Sequence, residues 1–167
     1  MIKKALLLVL ICAPLSIFAQ QKFGYFNSTD IIPQMPEYTK AQTEVQTMQK
    51  QYEDDIKRLQ AEGEKKYNEF VAQADSLPEN IRQRRQQELQ ELGDRIQQTM
   101  QDNQQALQKA SGEKMQAITT KVLNAVEEIG KAGNYVYIMD ESAGIPYISK
   151  TLCTDITKEL KAKLGLK

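Results

Sequence analysis

The chain has 167 residues, with 22 basic and 22 acidic side chains, no histidine, no tryptophan and two cysteines. The absence of histidine removes the commonest general base and metal ligand, and the balanced charge gives no electrostatic footprint for nucleic acid. There is no Gly-rich phosphate loop, and acidic pairs such as Asp54-Asp55 and Glu127-Glu128 fall on helical periods, where they read as solvated faces. No catalytic residue, cofactor site or metal site is expected.

The first segment reads as a targeting signal rather than as part of the fold. Met1-Ile2-Lys3-Lys4 is a short basic start, Ala5 to Phe18 is nearly all apolar, and Ala19 before Gln20-Gln21 offers a small residue at a cleavage point. The apolar run is shorter than the ~20 residues that cross a bilayer, so residues 1–19 are read as a secretory signal peptide; the alternatives are an uncleaved anchor or a lipoprotein signal using Cys12. Cleavage leaves about 148 residues, with 20 basic against 22 acidic side chains, and Cys153 alone. One thiol makes no internal disulfide; Cys153 is expected to pack near a helix start.

Lys22 to Asn27 alternates as a short strand, with Phe23 and Tyr25 on one face and Gly24 and Phe26 on the other. Ser28-Thr29-Asp30 signals a helix start, and Pro33 ends the turn that follows. Pro36 then suits the first turn of a long helix. Apolar or small residues recur at Ala41, Val45, Met48, Tyr52, Ile56, Leu59, Gly63, Tyr67, Phe70, Ala74 and Leu77, a mean step close to the ~3.6 of a straight α-helix.

Ser76-Leu77-Pro78 interrupts the pattern, with Ser76 as the expected cap of a second helix. Its stripe runs through Leu89, Leu92, Ile96, Met100, Asn103, Leu107, Ala110, Lys114, Ile118, Val122, Ala125 and Ile129. Asn103 and Lys114 occupy positions where apolar residues belong. Both stripes are thin and glutamine crowds the remaining surface, so neither helix has a core of its own to join; zipped together they form an antiparallel coiled coil. Gly63, Gly93 and Gly112 lie inside these helices, marking either close helix approach or built-in softness.

Gly130 and Gly133 end the second helix. Asn134 to Met139 alternates as a strand, Ile145 to Ser149 offers a partner, and Asp140-Glu141-Ser142-Ala143-Gly144 reads as the turn of a hairpin between them. A last amphipathic helix starts at Thr154-Asp155, passes Ile156, Leu160 and Leu164, and stops at Gly165.

The fold class is therefore α+β, mainly α: a long antiparallel two-helix arm, residues 36–130 with its tip near 76–80, on a small β-structured base made of residues 20–35 and 131–167. A base this small is hard to stabilise alone. Oligomerisation is expected through its strand residues Phe23, Tyr25, Phe26, Tyr135, Tyr137, Ile138, Ile145 and Tyr147. Near the tip, Arg82, Arg84 and Arg85, with Lys65 and Lys66 on the other helix, form a basic cluster. It either meets acidic chains or an anionic membrane surface or pairs with Glu69, Glu79 and Glu88. Met48, Tyr67, Phe70 and Met100 are the arm's candidate client-facing apolar residues. A binding arm leaves such residues partly available; a structural spacer of the envelope, the alternative function, buries them all.

Phe23-Gly24-Tyr25-Phe26-Asn27 leading to Met35-Pro36-Glu37-Tyr38, and Tyr135-Val136-Tyr137-Ile138-Met139-Asp140 leading to Asp155-Ile156-Thr157, give the chain its resemblance to the Skp/OmpH family of periplasmic chaperones. The resemblance covers essentially the whole chain after the signal. It implies a homotrimer whose strands form a common base, with helical arms around a cavity. It also implies an ATP-independent holdase, without cofactor, that keeps unfolded outer-membrane β-barrel proteins soluble in the periplasm. This chain departs from the strongly basic character of the best-known member, since residues 36–130 carry 13 basic against 17 acidic side chains.

Overall fold

A computed structural model describes residues 21–166; the expected signal peptide and Cys12 lie outside them. The elements in order are β1 (Lys22–Phe26), α1 (Ser28–Ile31), a 3-10 turn (Ile32–Gln34), α2 (Pro36–Gln73), α3 (Glu79–Ala132), β2 (Tyr135–Asp140), a second 3-10 turn (Glu141–Ala143), β3 (Cys153–Asp155) and α4 (Thr157–Leu164). They divide into two compact units. One combines the chain up to Met35 with everything from Thr119 onward; the other is Pro36–Ile118.

The first unit is built on a three-stranded parallel sheet in the order β2-β1-β3. The central strand sets Phe23 beside Tyr137 and Cys153, Gly24 beside Ile138 and Thr154, and Tyr25 beside Met139 and Asp155. Gly24, Tyr25 and Phe26 are buried, as a strand paired on both edges should be. The core is completed by Ile31 and Met35 after β1, by Val122, Ala125 and Ile129 of α3, and by Ile156 and Leu160 around the start of α4. Lys163 of α4 pairs with Glu128 of α3 at 2.5 Å.

Polar side chains fix the strand ends. Asn27 caps α1 by accepting from the Thr29 N–H at 3.0 Å. The Asp140 carboxylate, at the end of β2, accepts from the Ser28 N–H at 3.1 Å and the Ser142 N–H at 3.0 Å. One carboxylate thus ties the first helical turn after β1 to the turn after β2 and satisfies helix-end donors that would otherwise lack a partner.

Three expectations fail here. Ile145 to Ser149 is a loop, not a strand, so there is no β-hairpin; Pro146 inside the run removes a ladder donor. The third strand is instead Cys153–Asp155, where a helix start was expected, so Cys153 sits in an edge strand. Asp155 nevertheless accepts from the Thr157 N–H at 2.8 Å, one position before the cap residue Ile156, and α4 begins at Thr157. Finally, Gly130 lies inside α3, which continues to Ala132; the left-handed residue past its end is Asn134, at φ 53°.

In the second unit, the 38 residues of α2 extend about 57 Å at 1.5 Å per residue. The paired stripes run antiparallel. Tyr38, Ala41 and Val45 lie with Ser111, Met115 and Ile118, Tyr52 and Ile56 with Met100, Asn103 and Leu107, and Gly63 opposite Leu92 and Ile96. Of the three helical glycines, Gly63 lies in the seam, while a Cβ on Gly93 or Gly112 would meet nothing within 4 Å. The turn corrects one detail. The Ser76 hydroxyl donates to the Gln73 carbonyl at 2.8 Å, finishing α2 instead of capping α3, and the Pro78 carbonyl accepts the first α3 bonds, from Ile81 and Arg82.

Candidate functional site

No residue of α2 is buried, and in the part of α3 that belongs to this unit only Leu92 and Ile118 are. The seam is one side chain deep, so any large apolar group beside it stays in water. Three do so to more than half of their surface: Tyr67 at 57%, Val71 at 54% and Met100 at 52%. Met48 and Phe70, the other two arm residues expected to contact clients, are half-buried in the seam. Val71 was not expected. Its signal was its spacing of four from Tyr67, which puts both on one helix face.

The two flanks of the hairpin differ. On one, Lys114 of α3 donates to Glu44 of α2 across the seam, and this bond is the main cause holding the Glu44 carboxyl below its usual pKa. Further along, the Glu62 carboxyl is held low by its bond from Lys66, with Arg95 of α3 and Arg58 adding to the effect. The opposite flank carries two grooves. Gln42 and Gln46 face Ser111 and Met115 in one. Gln49, Tyr52, Glu53, Ile56, Lys57 and Gln60 face Met100, Gln104 and Leu107 in the other, which has a volume of about 450 Å³.

The basic residues near the turn are exposed, Arg85 less so than the rest. Arg82 pairs with Glu79 and Arg84 with Glu88 at 3.5 Å. Lys65 lies 4.0 Å from Glu69, and Lys66 2.9 Å from Glu62. All four pairs are local, within one helix, and Arg85 has no ion-pair partner among the described residues. The structure therefore gathers acidic partners around the cluster and leaves Arg85 uncompensated.

In the sheet unit, Tyr25 and Phe26 are buried, and Phe23, Tyr135, Ile138 and Ile145 are half-buried. Tyr137 and Tyr147 are exposed, together with Val136 and Leu152, which were not singled out in the sequence. An open groove runs along β2, lined by Val126, Gly130, Tyr135, Val136, Tyr137 and Ile138. Among the described residues β2 and β3 each have one edge with no strand beside it. Lys150 sits 3.9 Å over the Tyr25 ring and Lys22 4.0 Å over the Tyr135 ring, so two ammonium groups cover aromatic faces of the sheet. No helix among the described residues is long and apolar enough to cross a membrane.

Both a family model and solved structures match the chain. The model of the family described as outer membrane protein (OmpH-like) matches residues 22–164. A crystal structure of a Caulobacter crescentus CB15 protein, described as a proposed outer membrane chaperone (OmpH-like), superposes with a TM-score of 0.73 at 12% identity, over 86% of this chain and 83% of that one. At that identity the likeness is one of fold. No curated protein matches the sequence.

Proposed function

The chain belongs to the family of OmpH-like outer membrane proteins, and from that premise we propose that it is an ATP-independent holdase chaperone of the periplasm. Its clients are unfolded outer-membrane β-barrel proteins, held by the hairpin of Pro36–Ile118. Export by cleavage after residue 19 places it in that compartment. The observation that carries the reading is the exposure of Tyr67, Val71 and Met100 beside a seam too thin to cover them. Apolar side chains held in water on a pair of helices offer contact area to an unfolded chain without first having to be uncovered. A plain spacer has no use for them, so the same observation disfavours that alternative.

The sheet unit is proposed to join three copies. Tyr137, Val136, Tyr147 and Leu152 are exposed there around unpaired strand edges, and such edges invite strand addition or burial against another subunit. Assembly would place three hairpins around one space, where many weak contacts act together. Arg82, Arg84 and Arg85, with Lys65 and Lys66, are proposed to attract acidic clients or an anionic membrane surface.

The test is dilution of a urea-unfolded β-barrel membrane protein into buffer without nucleotide, with light scattering as the readout. An equimolar amount of trimer should suppress the scattering. Aggregation at the rate of the client alone would leave the spacer reading in place.

A further inference from the structure

The charge on α3 is distributed unevenly around the helix. At 3.6 residues per turn, Gln86, Gln90, Gln97, Met100, Gln104, Gln108 and Met115 fall on one flank, the flank onto which both hairpin grooves open. No charged side chain of α3 falls on that stripe between Gln86 and Met115. Glu88, Glu91, Arg95, Asp102, Lys109 and Glu113 occupy the opposite flank, Asp94 points away from the seam, and Lys114 lies within it.

Some glutamines off the stripe are engaged by neighbouring carboxylates, whereas Gln105 is not. Off the stripe, Gln87 donates to Glu91 and Gln98 to Asp102, at 2.8 and 2.9 Å. On it, Gln86, Gln90, Gln97, Gln104 and Gln108 are exposed and have no protein hydrogen-bond partner among the described residues. Tyr67 and Val71 of α2 border the same flank, so all the exposed apolar groups of the hairpin gather there.

The geometry points to this uncharged glutamine–methionine stripe as the surface that holds an extended, uncharged stretch of unfolded polypeptide. The inference rests on the holdase reading and names the chemistry of its contact. A primary amide carries both donors and an acceptor, matching the N–H and C=O that every peptide unit of an extended chain presents. Methionine adapts to side chains of different shape. Covering the α3 side of this flank desolvates no ion of α3, the charges at the grooves being Glu53 and Lys57 of α2 and Lys114 of the seam, whereas covering the opposite flank would strip water from six charged side chains of α3, which is costly. Uncharged contacts are also not screened by salt, so retention of the client should be insensitive to ionic strength in a protein whose hairpin is slightly acidic.

The test uses the full protein and two triple variants that add the same charge. Gln90→Glu, Gln97→Glu and Gln104→Glu place it on the stripe; Gln51→Glu, Gln87→Glu and Gln105→Glu place it on exposed positions elsewhere on the hairpin. Dissociation of a labelled unfolded β-barrel protein is followed at low and high salt, with circular dichroism to verify folding and light scattering to verify mass. The stripe variant should release client about tenfold faster, since burying uncompensated charge costs more than a kilocalorie per mole and 1.4 kcal/mol is tenfold. The control should stay within about twofold of the unmodified protein, whose own dissociation rate should not change with salt. Equal acceleration in both variants, or none in the stripe variant while the unmodified protein still holds client, would overturn the stripe and leave the holdase reading intact. A change of mass confined to the stripe variant would assign the stripe to a second copy of the chain instead. Failure of the unmodified protein to hold client would overturn the reading on which the inference stands.

Discussion

The Lys114 ammonium reaches across the helical seam to the Glu44 carboxylate, seventy positions earlier in the chain. It does so from a seam position where an apolar residue would otherwise belong, so a polar intruder is reconciled with the seam by a partner on the facing helix. Asn103, the other polar residue in the same stripe, has no such partner: its Nδ2 is shielded from solvent without a hydrogen bond.

That difference gives the first prediction. Replacing Asn103 by leucine removes an unsatisfied donor and extends the apolar stripe between Met100 and Leu107. An unsatisfied buried donor costs about 1–3 kcal/mol, and 1 kcal/mol moves the melting temperature of a chain this size by about 2–4 °C. Asn103→Leu should therefore melt several degrees higher in differential scanning calorimetry. A lower melting temperature would show that the asparagine amide is satisfied in solution.

Gly24 is predicted to resist enlargement. A Cβ there would sit 3.1 Å from Ile138 Cγ1 and 3.1 Å from Tyr135 Cε1, in the central strand of the sheet. Gly24→Val should cost about 1–3 kcal/mol through overpacking and weaken assembly of the sheet unit. Thermal melts and molecular mass by light scattering measure both effects, and an unchanged melting curve would contradict the packing described for β1.

Acid should loosen the sheet unit through two carboxylates, Asp140 and Asp155, that accept backbone N–H bonds at the starts of helical turns. Burial pushes Asp140 up, but its bonds from Ser28 and Ser142 outweigh that and hold its carboxyl below the usual aspartate range. The bond from Thr157 lowers Asp155 in the same direction. A pKa depressed by folding gives stability that is present above the unfolded value of ~3.9 and is lost as pH falls through the lower folded value. These two groups should leave the melting temperature level between pH 7 and 5 and pull it down below about pH 4. Asp140→Asn should melt lower than the unmodified protein at pH 7 and lose less between pH 4 and 2. Parallel curves for the two proteins would refute the role given to this carboxylate.

The helical hairpin was legible because a 3.6-residue recurrence over tens of residues cannot be mistaken for a strand, and Pro36 and Pro78 mark its two starts. The strands β1 and β2 were legible from alternation at both ends of the hairpin, but their parallel pairing was not, because β2 was assigned a hairpin partner in Ile145 to Ser149. β3 was not, because three residues are too few for alternation to show and Thr154-Asp155 carry a helix-start signal. That signal was chemically sound, since Asp155 accepts from the first N–H of α4 while its own backbone pairs with Tyr25. The exposed residues of the hairpin were half legible: the periodicity named Tyr67 and Met100 but could not separate seam from flank until the register of α2 against α3 was fixed. The same register was needed to see that Gln86, Gln90, Gln97, Gln104 and Gln108 share the side onto which the grooves open.

Charge at the tip is predicted to act on encounter alone. Reversing Arg82, Arg84 and Arg85 should slow association with an unfolded client at low salt, and the difference should shrink as salt rises, because exposed charges are screened beyond ~8–10 Å. Stability should change little, since exposed pairs contribute only ~0–1 kcal/mol. Stopped-flow rates at two salt concentrations measure this. An unchanged association rate would leave the cluster as ordinary pairing with Glu79 and Glu88.

The central claim is that apolar groups left in water on the hairpin hold the client, and the triple substitution Tyr67→Ser, Val71→Ser and Met100→Ser tests it most directly. Exposed positions tolerate change to within about 0.5 kcal/mol, so the variant should melt and assemble like the unmodified protein. The variant should no longer suppress aggregation of a urea-unfolded β-barrel protein at equimolar trimer; undiminished suppression by the folded triple variant would show that these side chains do not hold the client.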